Sequence, residues 1–280
     1  MGRKIVIPPT PEEKAIKEIR RKRLKIKKLR EEYLIRLARV DNNRFNEYVL
    51  LDENGEHIKQ WVGHIRWQNF IRMCWRNNYH PAIFSMWGHG KSSQIAIGTV
   101  LFELGRNPSL RVKIVCNSDG QAKKRVTTLK NYIAGSRRLR KVFPNLRPSS
   151  RHWTTHSFDV VGKSYSEIDH SVEAYGITSK VVGGRADLII FDDVVDNESE
   201  QSKSYRETVK ENFDSGFMSR LEPNGRVVMI GTFWHVEDLY QDILRRPGWR
   251  CLIQGVSEDF KYIEEIDLGE NLDTGYDYAA

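Results

Sequence analysis

The string Ser85-Met86-Trp87-Gly88-His89-Gly90-Lys91-Ser92-Ser93 carries the strongest chemistry in this 280-residue chain. An apolar run precedes it and a helical pattern follows, the context in which a loop cradles phosphate. Gly88 and Gly90 let the backbone turn so that N–H groups point at phosphate oxygens, and the helix N-terminus adds its dipole. Lys91 is placed to reach the β- and γ-phosphates of ATP, and the Ser92 hydroxyl to ligate Mg²⁺. Trp87, His89 and Ser93 complete the candidate ATP-binding loop. The general pattern G-x-x-x-x-G-K-[ST] wants a further Gly five residues before Gly90, where this chain has Ser85.

A second string, Asp187-Leu188-Ile189-Ile190-Phe191-Asp192-Asp193, is an apolar run ending in two carboxylates. Buried parallel strands read this way, and ligands of open α/β sheets sit at C-terminal strand ends. Asp192 suits an outer-shell hold on the metal bound by Ser92. Asp193 suits the carboxylate that orients an attacking water, where the commoner residue is Glu, one methylene longer. A third run, Arg226–Gly231, leads into Thr232-Phe233-Trp234-His235. Thr232 either senses the γ-phosphate and passes on its loss, or is an ordinary strand end beside an aromatic plug.

The elements that must position these residues follow from periodicity. Strands are expected at Ala82–Met86, Arg111–Cys116, Phe158–Val161, Asp187–Phe191, Arg226–Gly231 and Arg250–Gln254, with helices such as Ser93–Leu104 and Gln121–Ile133 between them. Strands alternating with helices imply an α/β fold, a mostly parallel sheet covered on both faces. Residues 11–40 read as a helix with Ile19, Ile26, Leu29, Tyr33, Leu37 and Val40 along one stripe, closed by Asp41-Asn42-Asn43. That helix either packs its stripe on its own domain or serves as an arm for DNA phosphates or a partner subunit. The chain then divides into a basic helical extension (residues 1–48), a nucleotide-binding body (49–256) and an acidic tail (257–280).

Charge sharpens this division. The chain holds 45 Lys+Arg and 37 Asp+Glu, a net of +8, and residues 1–48 alone hold 15 basic and 7 acidic residues. The remainder is therefore neutral on balance, and the chain is not a uniformly basic binder. Within it, the stretch from Gly120 to His152 holds ten Lys/Arg and no acid. A solvated helix face normally mixes signs, so this block points to a polyanion, with Lys123, Lys124, Arg125, Arg137 and Arg138 as candidate DNA contacts. Hydrophobic residues at 39% against 29% charged exclude a disordered chain. Cys74, Cys116 and Cys251 lie far apart without a CxxC, which argues for reduced thiols and against a zinc site. No apolar run is long enough for a membrane span, so no membrane role is expected.

Together, GHGKSS, RADLIIFDDVVDNE and GTFWHVEDLY, with LRKVFP between them, resemble the ATPase domain of the large terminase subunit, the DNA-packaging motor of tailed bacteriophages. The resemblance runs from about Gly63 to Gly255 and implies a P-loop NTPase fold of the ASCE (RecA-like) type. It implies ATP and Mg²⁺ as cofactors and a homo-oligomeric ring that pulls double-stranded DNA into a capsid. A capsid portal and a small terminase subunit are the implied partners, and the host cytoplasm the implied location. The segment GHIRWQNFIRMCW is similar to the family's adenine-side region, which makes Gln68 a candidate reader of adenine. Many members carry Arg in the loop where this chain has Trp87, and commonly read T-R-W-H where it has Thr232-Phe233-Trp234-His235. Arg185 lies in the region from which the family can donate a catalytic arginine to a neighbouring subunit. Full-length members continue into an RNase H-like nuclease; the 25 residues after Gly255 are too few for one, so nuclease activity is not expected of this chain.

The leading expectation is an ATP-hydrolysing DNA translocase with Lys91, Asp193 and Arg185 as catalytic residues. Another P-loop DNA-dependent ATPase of helicase type, or a nucleotide-binding assembly module with little hydrolysis, stands as the alternative.

Overall fold

The computed structural model describes residues 10–179, 183–197 and 202–255. The acidic tail, including Asp277, lies outside the described residues, as do residues 1–9. In chain order the helices α1 (Pro11–Val40), α2 (Asn42–Val49) and α3 (Val62–Arg76) lead into strand β1 (His80–Ser85). A π-helical turn, Ser92–Ile97, continues as α4 (Gly98–Arg106), followed by β2 (Val112–Cys116), α5 (Asp119–Gly135) and α6 (Arg137–Val142). Strands β3 (Pro148–Trp153), β4 (Ser157–Val160), β5 (Val172–Gly176) and β6 (Ala186–Asp192) come next. Helix α7 (Lys203–Glu211), β7 (Leu221–Gly231), α8 (Leu239–Arg245) and β8 (Trp249–Gln254) complete the described chain.

The strands form one sheet in the order β3-β4-β5-β2-β6-β7-β1-β8. From β5 to β8 all pairings are parallel, while β3 and β4 add an antiparallel edge. Side chains alternate between the faces, so β6 sends Leu188 and Ile190 into one core and Ile189 and Phe191 into the other. Helices α2 to α6 cover the first face. The second is covered by α7, α8 and a second π-helical turn, Asn212–Phe217, which carries Phe213 and Phe217. Both faces are thus buried, which is why β6 tolerates an almost uninterrupted apolar sequence.

All six expected strands are present, and two more join them. Strand β3 is polar and largely exposed at the sheet edge, and β5 alternates Val, Glu, Ala, Tyr. Helix α1 spans Pro11–Val40, but its stripe does not pack on the body. Ile19, Ile26, Leu29 and Tyr33 are all more than half exposed, and α1 joins the body near its C-terminal end. There Ala38 is buried and the Arg39 guanidinium donates to Val142 O at 2.8 Å. Asp41 both ends that helix and caps the next, its carboxylate accepting from Arg44 N at 2.9 Å. Phe45, Tyr48 and Val49 of α2 belong, with Ala38, to the core of the sheet's first face.

Candidate functional site

The chemistry gathers at the C-terminal ends of three adjacent strands, β1, β7 and β6. The backbone after β1 turns through Gly88 (φ 82°) and Gly90 (φ 76°), left-handed conformations that a side chain would strain. No atom lies within 4 Å of a Cβ at Gly88, so backbone conformation and not space requires glycine there. The turn delivers Lys91 into the interior, only 4% exposed. Its ammonium donates to Ser85 O, to Met86 O at 3.0 Å and to Thr232 Oγ1 at 3.1 Å. Ser85 thus serves through its carbonyl, and Thr232 Oγ1 donates to the same oxygen at 3.1 Å. Burial lowers the Lys91 pKa, opposed by the nearby charges of Asp193 and Asp192.

Ser92 opens the π-helical turn and donates from Oγ to Asp192 Oδ1 at 2.8 Å, joining the loop to the end of β6. The Asp192 side chain is fully buried. Asp193 adopts φ 50°, in the left-handed region that Asp and Asn enter more often than other side chains, and its backbone is tied to Ile230 O and Asn117 N. Burial, with Asp192 adding repulsion, pushes the Asp193 carboxyl up to about 6. Tyr240, fully buried, packs where a Cβ on Gly231 would lie 2.4 Å from its ring, and its hydroxyl accepts from Val195 N at 3.2 Å. The end of β7 and the segment after Asp193 are therefore linked through one side chain. A cavity of about 240 Å³ opens over this group, lined by Trp87, Arg125, Asp192, Asp193, Thr232 and Trp234 among others.

Among the described residues, the structure brings together Lys91, Ser92, Asp192, Asp193 and Thr232, as the sequence motifs suggest. Trp87 projects from the loop at 81% exposure, and the His89 carbonyl oxygen lies 3.0 Å from His64 Nε2. Ser93 is exposed on the first turn. Gln68 does not face the loop. It is 1% exposed, accepts from Asn42 Nδ2 at 2.6 Å and donates to Gln94 O at 2.9 Å, so both ends of its amide are used in the core. Those bonds tie it to α2 and to the π-helical turn that follows the loop. Arg185 is exposed at the start of β6, the far end of the strand from Asp192, beside Glu222 at 3.4 Å. A strand of that length spans roughly 20 Å, so Arg185 reaches no phosphate on its own chain's loop.

The basic stretch divides. Arg125 turns toward the end of β6: its Nε donates to Asp192 Oδ2 at 2.5 Å. Arg138 lies over the Tyr48 ring and donates to Tyr48 O at 3.0 Å, clamping α6 to α2. Lys124 and Arg137 are exposed, with Lys123 half-buried beside them. The sequence reading missed Arg125 as a site residue. Its signal was position: it flanks the buried stripe Ala122, Val126, Leu129 and Ile133 on a helix that starts at the end of β2, the neighbour of β6.

A phosphate loop after β1, a carboxylate at the end of β6, and a strand between them ending in a hydroxyl define a P-loop NTPase fold. Over 189 residues the chain is 30% identical to the terminase large subunit of Enterobacteria phage T3, a stretch that covers 66% of this chain and 31% of that protein. The chain spans about a third of the length of that protein. Its fold is also similar to the large terminase ATPase domain of Thermus phage P74-26. A mutant form matches with a TM-score of 0.43 at 17% identity, covering 73% of this chain and 75% of that one. A second structure of that domain matches with a TM-score of 0.37 at 16% identity, covering 65% and 77%. No family model matches the chain.

Proposed function

We propose that this chain is the ATP-hydrolysing motor of a viral DNA-packaging terminase, working on double-stranded DNA as part of a homo-oligomeric ring. The observation that carries the reading is the meeting of Lys91, Thr232, Ser92 and Asp192 at three neighbouring strand ends. The similarity to the phage T3 subunit supports the choice of DNA packaging among P-loop ATPases. A capsid portal and a small terminase subunit are the partners this reading implies, and the host cytoplasm its location.

The donor set fits Mg²⁺, a hard cation that takes oxygen ligands: a serine hydroxyl and a buried carboxylate already lie 2.8 Å apart, with a guanidinium cation against both. Held by Ser92 and Asp192, the metal would supply charge neutralisation across the terminal phosphates of ATP. The loop N–H groups and Lys91 bind and align those phosphates. Lys91 is held now by two carbonyls and a hydroxyl, neutral acceptors that a phosphate oxygen outcompetes. Asp193 faces the same cavity without a side-chain hydrogen bond among the described residues, and orients the attacking water. Once Lys91 turns to phosphate, Thr232 keeps only the Ser85 carbonyl, so the end of β7 registers the presence of nucleotide. Arg185, on the surface at the other end of β6, serves a neighbouring subunit's site.

The test is phosphate release with and without double-stranded DNA, under conditions that allow assembly. The expected result is DNA-stimulated turnover abolished in Lys91→Ala. Equal, negligible rates in both proteins under all conditions would favour an assembly module that does not hydrolyse ATP.

A further inference from the structure

Arg125 makes contacts that a DNA-facing residue would not make. Its Nε donates to Asp192 Oδ2 at 2.5 Å and its Nη2 to Ser92 Oγ at 3.1 Å. Ser92 Oγ in turn donates to Asp192 Oδ1 at 2.8 Å, which closes a ring of three side chains. The guanidinium therefore engages both side chains that the nucleotide reading gives to Mg²⁺. The Asp192 side chain is fully buried, and Arg125 is its ion-pair partner.

A guanidinium and a magnesium ion compete for these side chains: two cations this close repel each other, and Arg125 already draws on Ser92 Oγ and Asp192 Oδ2. Among the described residues lining the cavity, Arg125 is also the one cation. The exposed Trp87 contributes an aromatic face from the loop and no charge.

We propose that Arg125 is the resident cation of the Ser92–Asp192 pair, exchanged for Mg²⁺ when nucleotide binds, and that the displaced guanidinium then contacts the transferred phosphoryl group. The proposal rests on the nucleotide reading of this site. It makes Arg125 a competitor of the metal in the ground state and a source of positive charge during transfer, the contribution that no loop arginine makes here. Because Arg125 shares α5 with Lys123 and Lys124, the exchange also ties the metal pair to the basic stretch.

The test is a titration of Mg²⁺ against a fluorescent ATP analogue on the full chain, comparing wild type, Arg125→Ala and Arg125→Lys. Removing a competing cation should lower the Mg²⁺ needed for half-maximal nucleotide binding, by about tenfold in Arg125→Ala, equivalent to about 1.4 kcal/mol. Turnover should fall in the same variant. A merely structural arginine gives the opposite direction, because loosening Asp192 weakens the metal. Arg125→Lys retains a cation and guards against a folding failure; it should fall between the other two. An unchanged or raised Mg²⁺ requirement in both variants overturns the exchange while leaving the nucleotide reading intact. Failure of the wild type to bind nucleotide at any Mg²⁺ concentration overturns that reading and the exchange with it.

Discussion

Two cations at opposite ends of the sheet, the buried Lys91 and the partly exposed Arg111, are held in opposite ways. At the C-terminal end, Lys91 rests on carbonyl and hydroxyl oxygens, and burial lowers its pKa. At the N-terminal end, Arg111 makes a two-point contact with Asp187 at 2.8 and 2.9 Å, another with Glu222 at 2.9 Å, and lies 3.8 Å from Glu167. Arg111 has its counter-charges already in place, which fixes strands β2, β6 and β7 to one another. Lys91 has its attraction unspent and available to a phosphate. A charge that is fully satisfied makes structure, whereas a charge held by neutral acceptors makes a binding site. Size of cavity does not separate the two ends: the space beside Arg111, about 550 Å³, is the larger.

The sharpest way to break this contrast is to exchange the consequences of mutation. Lys91→Ala should reduce ATP turnover on the order of 10²–10³-fold, with a denaturation midpoint close to wild type. Arg111→Ala should do the reverse, costing about 3 kcal/mol of stability in urea unfolding because it strands carboxylates, with nucleotide affinity retained. If Lys91→Ala proves the more destabilising of the two, the division of labour fails.

Asp193→Asn probes the site from its carboxylate. The side chain sits half-buried beside Asp192 in a backbone conformation that Asn accepts readily. The variant should lose turnover about a hundredfold yet gain about 1 kcal/mol or more in stability, measured as a raised urea midpoint. Loss of both would show that Asp193 is structural.

The smallest effect is in acid. Burial alone would raise the Asp187 pKa, but the hydrogen bonds from Arg111 hold it below the ordinary carboxylate range. A lowered folded-state pKa contributes stability that is present above the unfolded value, near 3.8, and lost as pH falls through the folded value. Wild type should therefore lose stability between pH 5 and pH 2 more steeply than Arg111→Ala, as read from urea midpoints along that range. Parallel slopes would remove Asp187 from the account.

Much of this site is legible in the sequence because its parts are local. Gly88 and Gly90 announce positive φ, the run Leu188–Phe191 announces a doubly covered strand, and the paired carboxylates fall at its end. What the sequence conceals depends on contacts across the fold. Gln68 looks like a surface amide of an amphipathic helix, yet Asn42, from a different helix, draws it inward. Arg125 looks like one member of a basic run, and only the adjacency of β2 and β6 turns it toward Asp192. Strand β3, Pro148–Trp153, has no apolar alternation to betray it, since an edge strand is held by backbone pairing to one neighbour.

The measurement that bears most directly on the contrast is equilibrium binding of Mg²⁺–ATP to wild type, Lys91→Ala and Arg111→Ala, side by side. The expected result is matching affinity for wild type and Arg111→Ala and loss of binding in Lys91→Ala. Binding by Lys91→Ala at wild-type affinity would contradict the placement of the phosphate site at the end of β1.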